Sequence, residues 1–102
     1  MKEKEIQKQI KDYLELSGYQ VYRINNTGIW NEKNKCFIFH GSKGVSDIIA
    51  ISKKLHQILF IETKSKPNKL SKEQLEFLNL VDGIQSVKGI LAYSLEDIII
   101  AI

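Results

Sequence analysis

A chain of 102 residues, 43% of them hydrophobic, has material for one compact core and not for two. One proline and six glycines exclude a collagen-like or low-complexity chain, and no apolar run approaches the ~20 residues that cross a bilayer. Fifteen Lys plus Arg against twelve Asp plus Glu leave a net charge of +3, a mild excess that only slightly favours a polyanionic partner.

In chain order, residues 3 to 17 are predicted to form a helix, because Ile6, Ile10, Tyr13, Leu14 and Ser17 share one face. Glu3 falls on that same inward stripe and Glu5 does not. Gly18 ends the helix as a left-handed cap. Gln20 to Asn25 is expected as a strand and Asn26-Thr27-Gly28 as a turn, and Cys36 to His40 as a second strand followed by the loop Gly41 to Gly44. Two strongly apolar segments come next, Asp47 to Ile51 and Ile58 to Glu62, both expected to be central strands covered on two faces.

The second helix carries the clearest start signal. Ser71 is placed as N-cap with Gln74 at the third position, a capping box flanked by Leu70 and Leu75 as a hydrophobic staple. Leu75, Leu78 and Val81 are expected to bury, and Gly83 to end the helix. Val87 to Tyr93 forms a last strand, and Leu95 to Ile102 a terminal element of open type. The order implies one mixed α/β domain over 1–102, with helices packed on a single sheet.

The chemistry sits on the two apolar strands. As a hairpin centred between Lys54 and Leu55, they set Asp47 opposite Glu62, with Cβ atoms about 5 Å apart. Lys64 lies two residues past Glu62 and therefore on the same face. Two carboxylates close together and withdrawn from water are costly unless a cation joins them. Mg²⁺ or Mn²⁺ held by one or two carboxylates, with water and phosphate oxygens as the other ligands, meets that cost. The bland alternative is that Lys64 merely pairs with Glu62 at a strand end. Lys64, Lys66, Lys69 and Lys72 crowd one stretch, with Lys43, Lys53 and Lys54 nearby in sequence; a solvated basic face and a phosphate-binding border are both open.

Gly44-Val45-Ser46-Asp47, then Ile61-Glu62-Thr63-Lys64, then Leu70-Ser71-Lys72-Glu73-Gln74 resembles the VRR-NUC branch of the PD-(D/E)XK nucleases. That pattern runs through an acidic first helix, G-x-x-D, a strand with E-x-K, and a helix opening with L-S-x-x-Q. The resemblance covers nearly the whole chain, including Arg23-Ile24-Asn25 and Gly28. It implies a restriction-endonuclease-like mixed sheet flanked by helices, and metal-dependent hydrolysis of DNA phosphodiesters. It further implies that Asp47 and Glu62 bind the metal, that Lys64 is catalytic, and that Gln74 lies near the site, unless Gln74 is only the capping-box partner. Glu3 matches the first-helix acid, a further metal or water ligand, with Glu5 as fallback. Where the family often has proline before the aspartate, this chain has Ser46.

By analogy the family also implies recognition of DNA structure, such as a four-way junction or flap, and a homodimer. A non-catalytic nucleic-acid-binding or assembly module of the same fold is the alternative. Among weaker signals, one cysteine and two scattered histidines (Cys36, His40, His56) do not make a zinc site. His40 and Lys43 precede the Asp47 strand as possible phosphate contacts or as plain loop. Trp30, Phe37 and Phe39 are core, subunit contact or a wedge against distorted duplex. The charged N-terminus, unlike a signal peptide, and the lone Cys36 lead to an expectation of the cytoplasm.

Overall fold

The structure, a computed structural model, describes residues 1–24, 28–39 and 44–102, with 28–30 and 37–39 described by backbone alone. The first helix, α1 (Glu3–Leu16), forms where the apolar period predicts it. Ile6, Ile10 and Leu14 recur every fourth residue, fall on one face, and are all buried. Exposed Lys8–Asp12 and Lys11–Glu15 pairs line the outer face, each worth a few tenths of a kcal/mol. Gly18, at φ 94°, turns the chain out of the helix in the conformation that only glycine adopts freely. Ser17 is exposed and not inward; its hydroxyl donates back to the Tyr13 carbonyl, a bond that serine readily makes at a helix end.

Six strands follow among the described residues: β1 (Gln20–Arg23), β2 (Gly28–Asn31), β3 (Cys36–Phe39), β4 (Ile48–Ser52), β5 (Gln57–Thr63) and β6 (Val87–Ala92). Helix α2 (Lys72–Val81) lies between β5 and β6, and α3 (Leu95–Ala101) closes the chain, which settles the terminal element as helical. The main sheet has the order β1-β4-β5-β6, antiparallel except for the β5–β6 pair. A parallel pair cannot be joined by a tight turn, and α2 makes the necessary crossover.

The alternation along β4 and β5 divides the sheet into two faces. Ile48, Ala50, Leu59 and Ile61, with Val21, Ile90 and Ala92, form a core with α1 and with Ile98 of α3. The opposite face receives α2: Phe77 meets Phe60 edge-to-face with ring centroids 5.4 Å apart. Gly89 allows this approach, since a Cβ there would lie 2.6 Å from the Leu78 carbonyl oxygen. Leu78 and Val81 bury beneath α2.

Four further sequence expectations change. Among the described residues the expected single sheet is instead two, because β2 and β3 pair only with each other. Gly28 begins β2; residues 26 and 27, the rest of the expected turn, lie outside the described residues, as does residue 25, the expected end of the first strand. The outer face of β4 is covered less than expected: α2 packs on β5 and β6, Ile49 is partly buried and Ile51 is left 40% exposed. Leu75 also stays half exposed, since its position on α2 faces away from the sheet while Leu78 and Val81 take the contact.

Candidate active site

The hairpin register decides what meets at the site. Strands β4 and β5 are joined through residues 53–56, with His56 in the left-handed region (φ 52°). Their pairs run from Ser52 with Gln57 to Ile48 with Ile61. One further step sets Asp47 opposite Glu62, as the sequence pairing requires. Lys64 follows on the same face as Glu62, and its backbone N–H donates to the Ala92 carbonyl at 3.0 Å, so the end of β5 is held against β6.

Each carboxylate is held by a different partner. Asp47 Oδ2 accepts from the Thr63 backbone N–H at 2.8 Å and from the Thr63 hydroxyl at 2.7 Å. Glu62 Oε1 accepts from Gln74 Nε2 at 2.8 Å. Gln74 fills both of the roles left open by the sequence: its Oε1 accepts from the Ser71 N–H at 2.8 Å, completing the capping box, while its amide nitrogen holds Glu62. The helix start signal is therefore also what aims a side chain at the carboxylate.

Glu62 is 2% exposed, and its Oε2 is the one buried side-chain oxygen or nitrogen among the described residues without a hydrogen-bond partner. Burial pushes its carboxyl up from the ordinary 4.5 to about 8; the Asp47 charge pushes the same way, and the Lys64 ammonium pulls it down. A buried carboxylate oxygen with no donor, opposite a second carboxylate, is the arrangement a divalent cation relieves. The donor set is all oxygen and hard, which suits Mg²⁺ or Mn²⁺ better than a thiolate-seeking metal.

The loop that delivers Asp47 is pressed against α2. Gly44 has φ 92°, and a Cβ on it would fall 2.6 Å from the Glu73 carbonyl oxygen, which is backbone and cannot swing aside. Gly44→Ala is expected to cost at least about 2 kcal/mol through strain and overpacking together. Gly18→Ala meets nothing within 4 Å and should cost less; urea unfolding of both variants measures the difference. Ser46, in the position where the resembled family often has proline, is fully buried, and its hydroxyl donates to the Ile48 carbonyl at 3.3 Å. A satisfied hydroxyl is thus tolerated there.

Glu3 is half-buried on α1 and Glu5 is exposed. Among the described residues no three His, Cys, Asp or Glu side chains gather where a metal could sit, so Glu3 is not brought together with Asp47 and Glu62. The α1 residue that does reach the site is Gln7, one turn further on, whose Nε2 donates to Thr63 Oγ1 at 2.9 Å. Sequence reading missed Gln7 and Thr63; the available signal was a polar residue one turn after Glu3 and a hydroxyl residue between the glutamate and lysine of E-x-K. Cys36 is free and exposed, and His56 lies at the hairpin turn. His40 and Lys43 lie outside the described residues, as do the side chains of Trp30, Phe37 and Phe39. Lys53 and Lys54 occupy the turn at the far end of β4, about 17 Å of strand from Asp47. Lys66, Lys69 and Lys72 are exposed on the segment leading from Lys64 into α2, at the site end.

No family model and no curated protein matches the sequence of this chain. A solved structure described as a "VRR_NUC domain" superposes on it with a TM-score of 0.67 at 19% sequence identity, covering 94% of this chain and 88% of that one. At that identity the likeness is one of fold. The chain has the VRR_NUC fold, a mixed α/β arrangement in which a four-stranded sheet is flanked by three helices.

Proposed function

We propose that this chain, as one domain over 1–102, is a divalent-metal-dependent endonuclease that hydrolyses DNA phosphodiester bonds. The observation that carries the proposal is the orphaned, buried Glu62 Oε2 opposite Asp47, with Lys64 on the same face, in a VRR_NUC fold. Asp47 and Glu62 would hold Mg²⁺ or Mn²⁺, with Glu3 as an outer ligand reached through water. The ion, when bound, polarises the phosphodiester and lowers the pKa of a bound water.

The chain's own residues do the rest. Gln74 turns the Glu62 carboxylate by holding one oxygen. Lys64 orients the attacking water and neutralises charge that builds on the phosphate. Lys66, Lys69 and Lys72 extend that positive edge and take backbone phosphates, so binding is salt-sensitive and weakly selective for sequence. Little surface on a domain of this size is left for reading bases, which favours selection by DNA structure, a four-way junction or flap, and a two-fold homodimer to engage two equivalent strands. The free, exposed Cys36 suits the reducing cytoplasm.

Cleavage of linear duplex, flap, single strand and four-way junction with Mg²⁺ or Mn²⁺ tests the reading, with Asp47→Ala in parallel. Metal-dependent cutting, strongest on a branched substrate and abolished in the variant, is expected. Tight binding of every substrate with no cutting would overturn the proposal in favour of a non-catalytic binding module. Among the described residues no helix is long and apolar enough to cross a membrane.

A further inference from the structure

We propose that Thr63 is the residue that positions Asp47 in this site, and that Gln7 and Arg23 set the direction in which its hydroxyl donates. The proposal rests on the reading of Asp47 as a metal ligand. Arg23 carries only donors, and its Nη2 donates to Gln7 Oε1 at 2.7 Å. That contact fixes which end of the Gln7 amide faces the arginine. The other end, Nε2, donates to Thr63 Oγ1 at 2.9 Å. With a lone pair occupied, the Thr63 hydroxyl turns its proton to Asp47 Oδ2 at 2.7 Å, beside the Thr63 N–H at 2.8 Å.

Every link runs in one direction. Reversing the Gln7 amide would set its NH₂ against the guanidinium, donor to donor, and leave Thr63 without its incoming hydrogen bond. Thr63 is fully buried, so water cannot substitute for it. The consequence is local to Asp47: an unheld carboxylate swings broadly about its last torsion, whereas two donors on Oδ2 hold its plane before a cation arrives. Ligands held in this way by outer partners bind metal more tightly than free ones. Thr63 sits between the glutamate and the lysine of E-x-K, so one short strand segment supplies a ligand, the clamp on the other ligand, and the lysine.

Calorimetric titration of the full chain with Mn²⁺ tests this, with thermal unfolding run alongside. Thr63→Val, which keeps the shape and the backbone N–H but loses the hydroxyl, is expected to weaken Mn²⁺ affinity about tenfold, and Thr63→Ser to stay within about twofold of the wild type. Gln7→Met, which leaves β5 untouched, is expected to weaken binding severalfold. Combined with Thr63→Val it should add nothing, because Gln7 acts through the hydroxyl. If Thr63→Val does not fold, Gln7→Met carries the test alone. Wild-type Mn²⁺ affinity in Thr63→Val or in Gln7→Met, while Asp47→Ala loses it, would overturn the positioning role and leave the proposed function standing. Unchanged affinity in Asp47→Ala would remove the metal reading and this role with it.

Discussion

Lys64→Ala is expected to slow DNA cleavage by about a hundredfold to a thousandfold without weakening metal binding or unfolding the protein. The size follows from what one well-placed positive donor contributes to a transition state in a site withdrawn from water. Lys64 has the required setting: it is half-buried, it shares the Glu62 face of β5, and its backbone is pinned to Ala92. Its ammonium is close enough to lower the Glu62 carboxyl against the effect of burial. If Lys64 served only as the partner of Glu62, its loss would appear in stability and metal affinity and leave turnover on bound substrate unchanged. Single-turnover cleavage at saturating Mn²⁺ separates the two. Lys64→Arg keeps the charge but changes the donor geometry, and should recover only part of the rate.

Glu62→Gln is expected to stabilise the metal-free protein at alkaline pH while abolishing cleavage. The Glu62 carboxyl is raised in the folded chain from 4.5 to about 8, chiefly by burial and then by the Asp47 charge. Below pH 4.5 the group is neutral folded and unfolded, and its folded environment carries no penalty. As pH rises the unfolded chain releases this proton and the folded chain keeps it, so folding stability falls, by up to about 1.4 kcal/mol per pH unit for one proton. The loss is complete once pH passes about 8, where the folded protein must hold the buried charge. The glutamine variant does not titrate, so its advantage over the wild type should grow from pH 4.5 to 8 and then level off, reaching a few kcal/mol. Urea unfolding in chelator at pH 5, 6.5 and 8 measures this. Equal pH slopes for the two proteins would show that Glu62 is not buried unpaired. Adding Mn²⁺ at pH 8 should raise the stability of the wild type and not of the variant, because only the wild type has the charge for the ion to relieve.

Much of the fold was legible because its signals are local. The fourfold spacing of Ile6, Ile10 and Leu14 makes α1 whatever surrounds it. The Ser71–Gln74 capping box marks the start of α2 to the residue, since both of its hydrogen bonds lie within one turn. The Asp47–Glu62 opposition was also within reach, because a hairpin's register follows from its turn and from the apolar alternation on both sides of it. Strand β2 was not: four residues carry a weak pattern, and whether they pair with β3 alone or join the main sheet depends on contacts that no short window contains. The exposure of Ile51 and Leu75 was hidden for a related reason, since each reads as core until the position of α2 over β5 and β6 is known.

The division at the site is similar. By itself the sequence singled out the residues proposed to bear the chemistry, Asp47, Glu62 and Lys64, and determined that one strand spacing sets the latter two on a single face. Only the tertiary structure decided what holds them. Gln74 doubles as cap and carboxylate partner because α2 lands with its first turn over the end of β5. Gln7, and not Glu3, bonds to the site because α1 crosses the sheet at that height. Such contacts join residues as far apart as 56 positions in the chain. They depend on how helices pack on a sheet, a balance of many small contacts summed over the whole molecule, and periodicity along the chain carries no record of it.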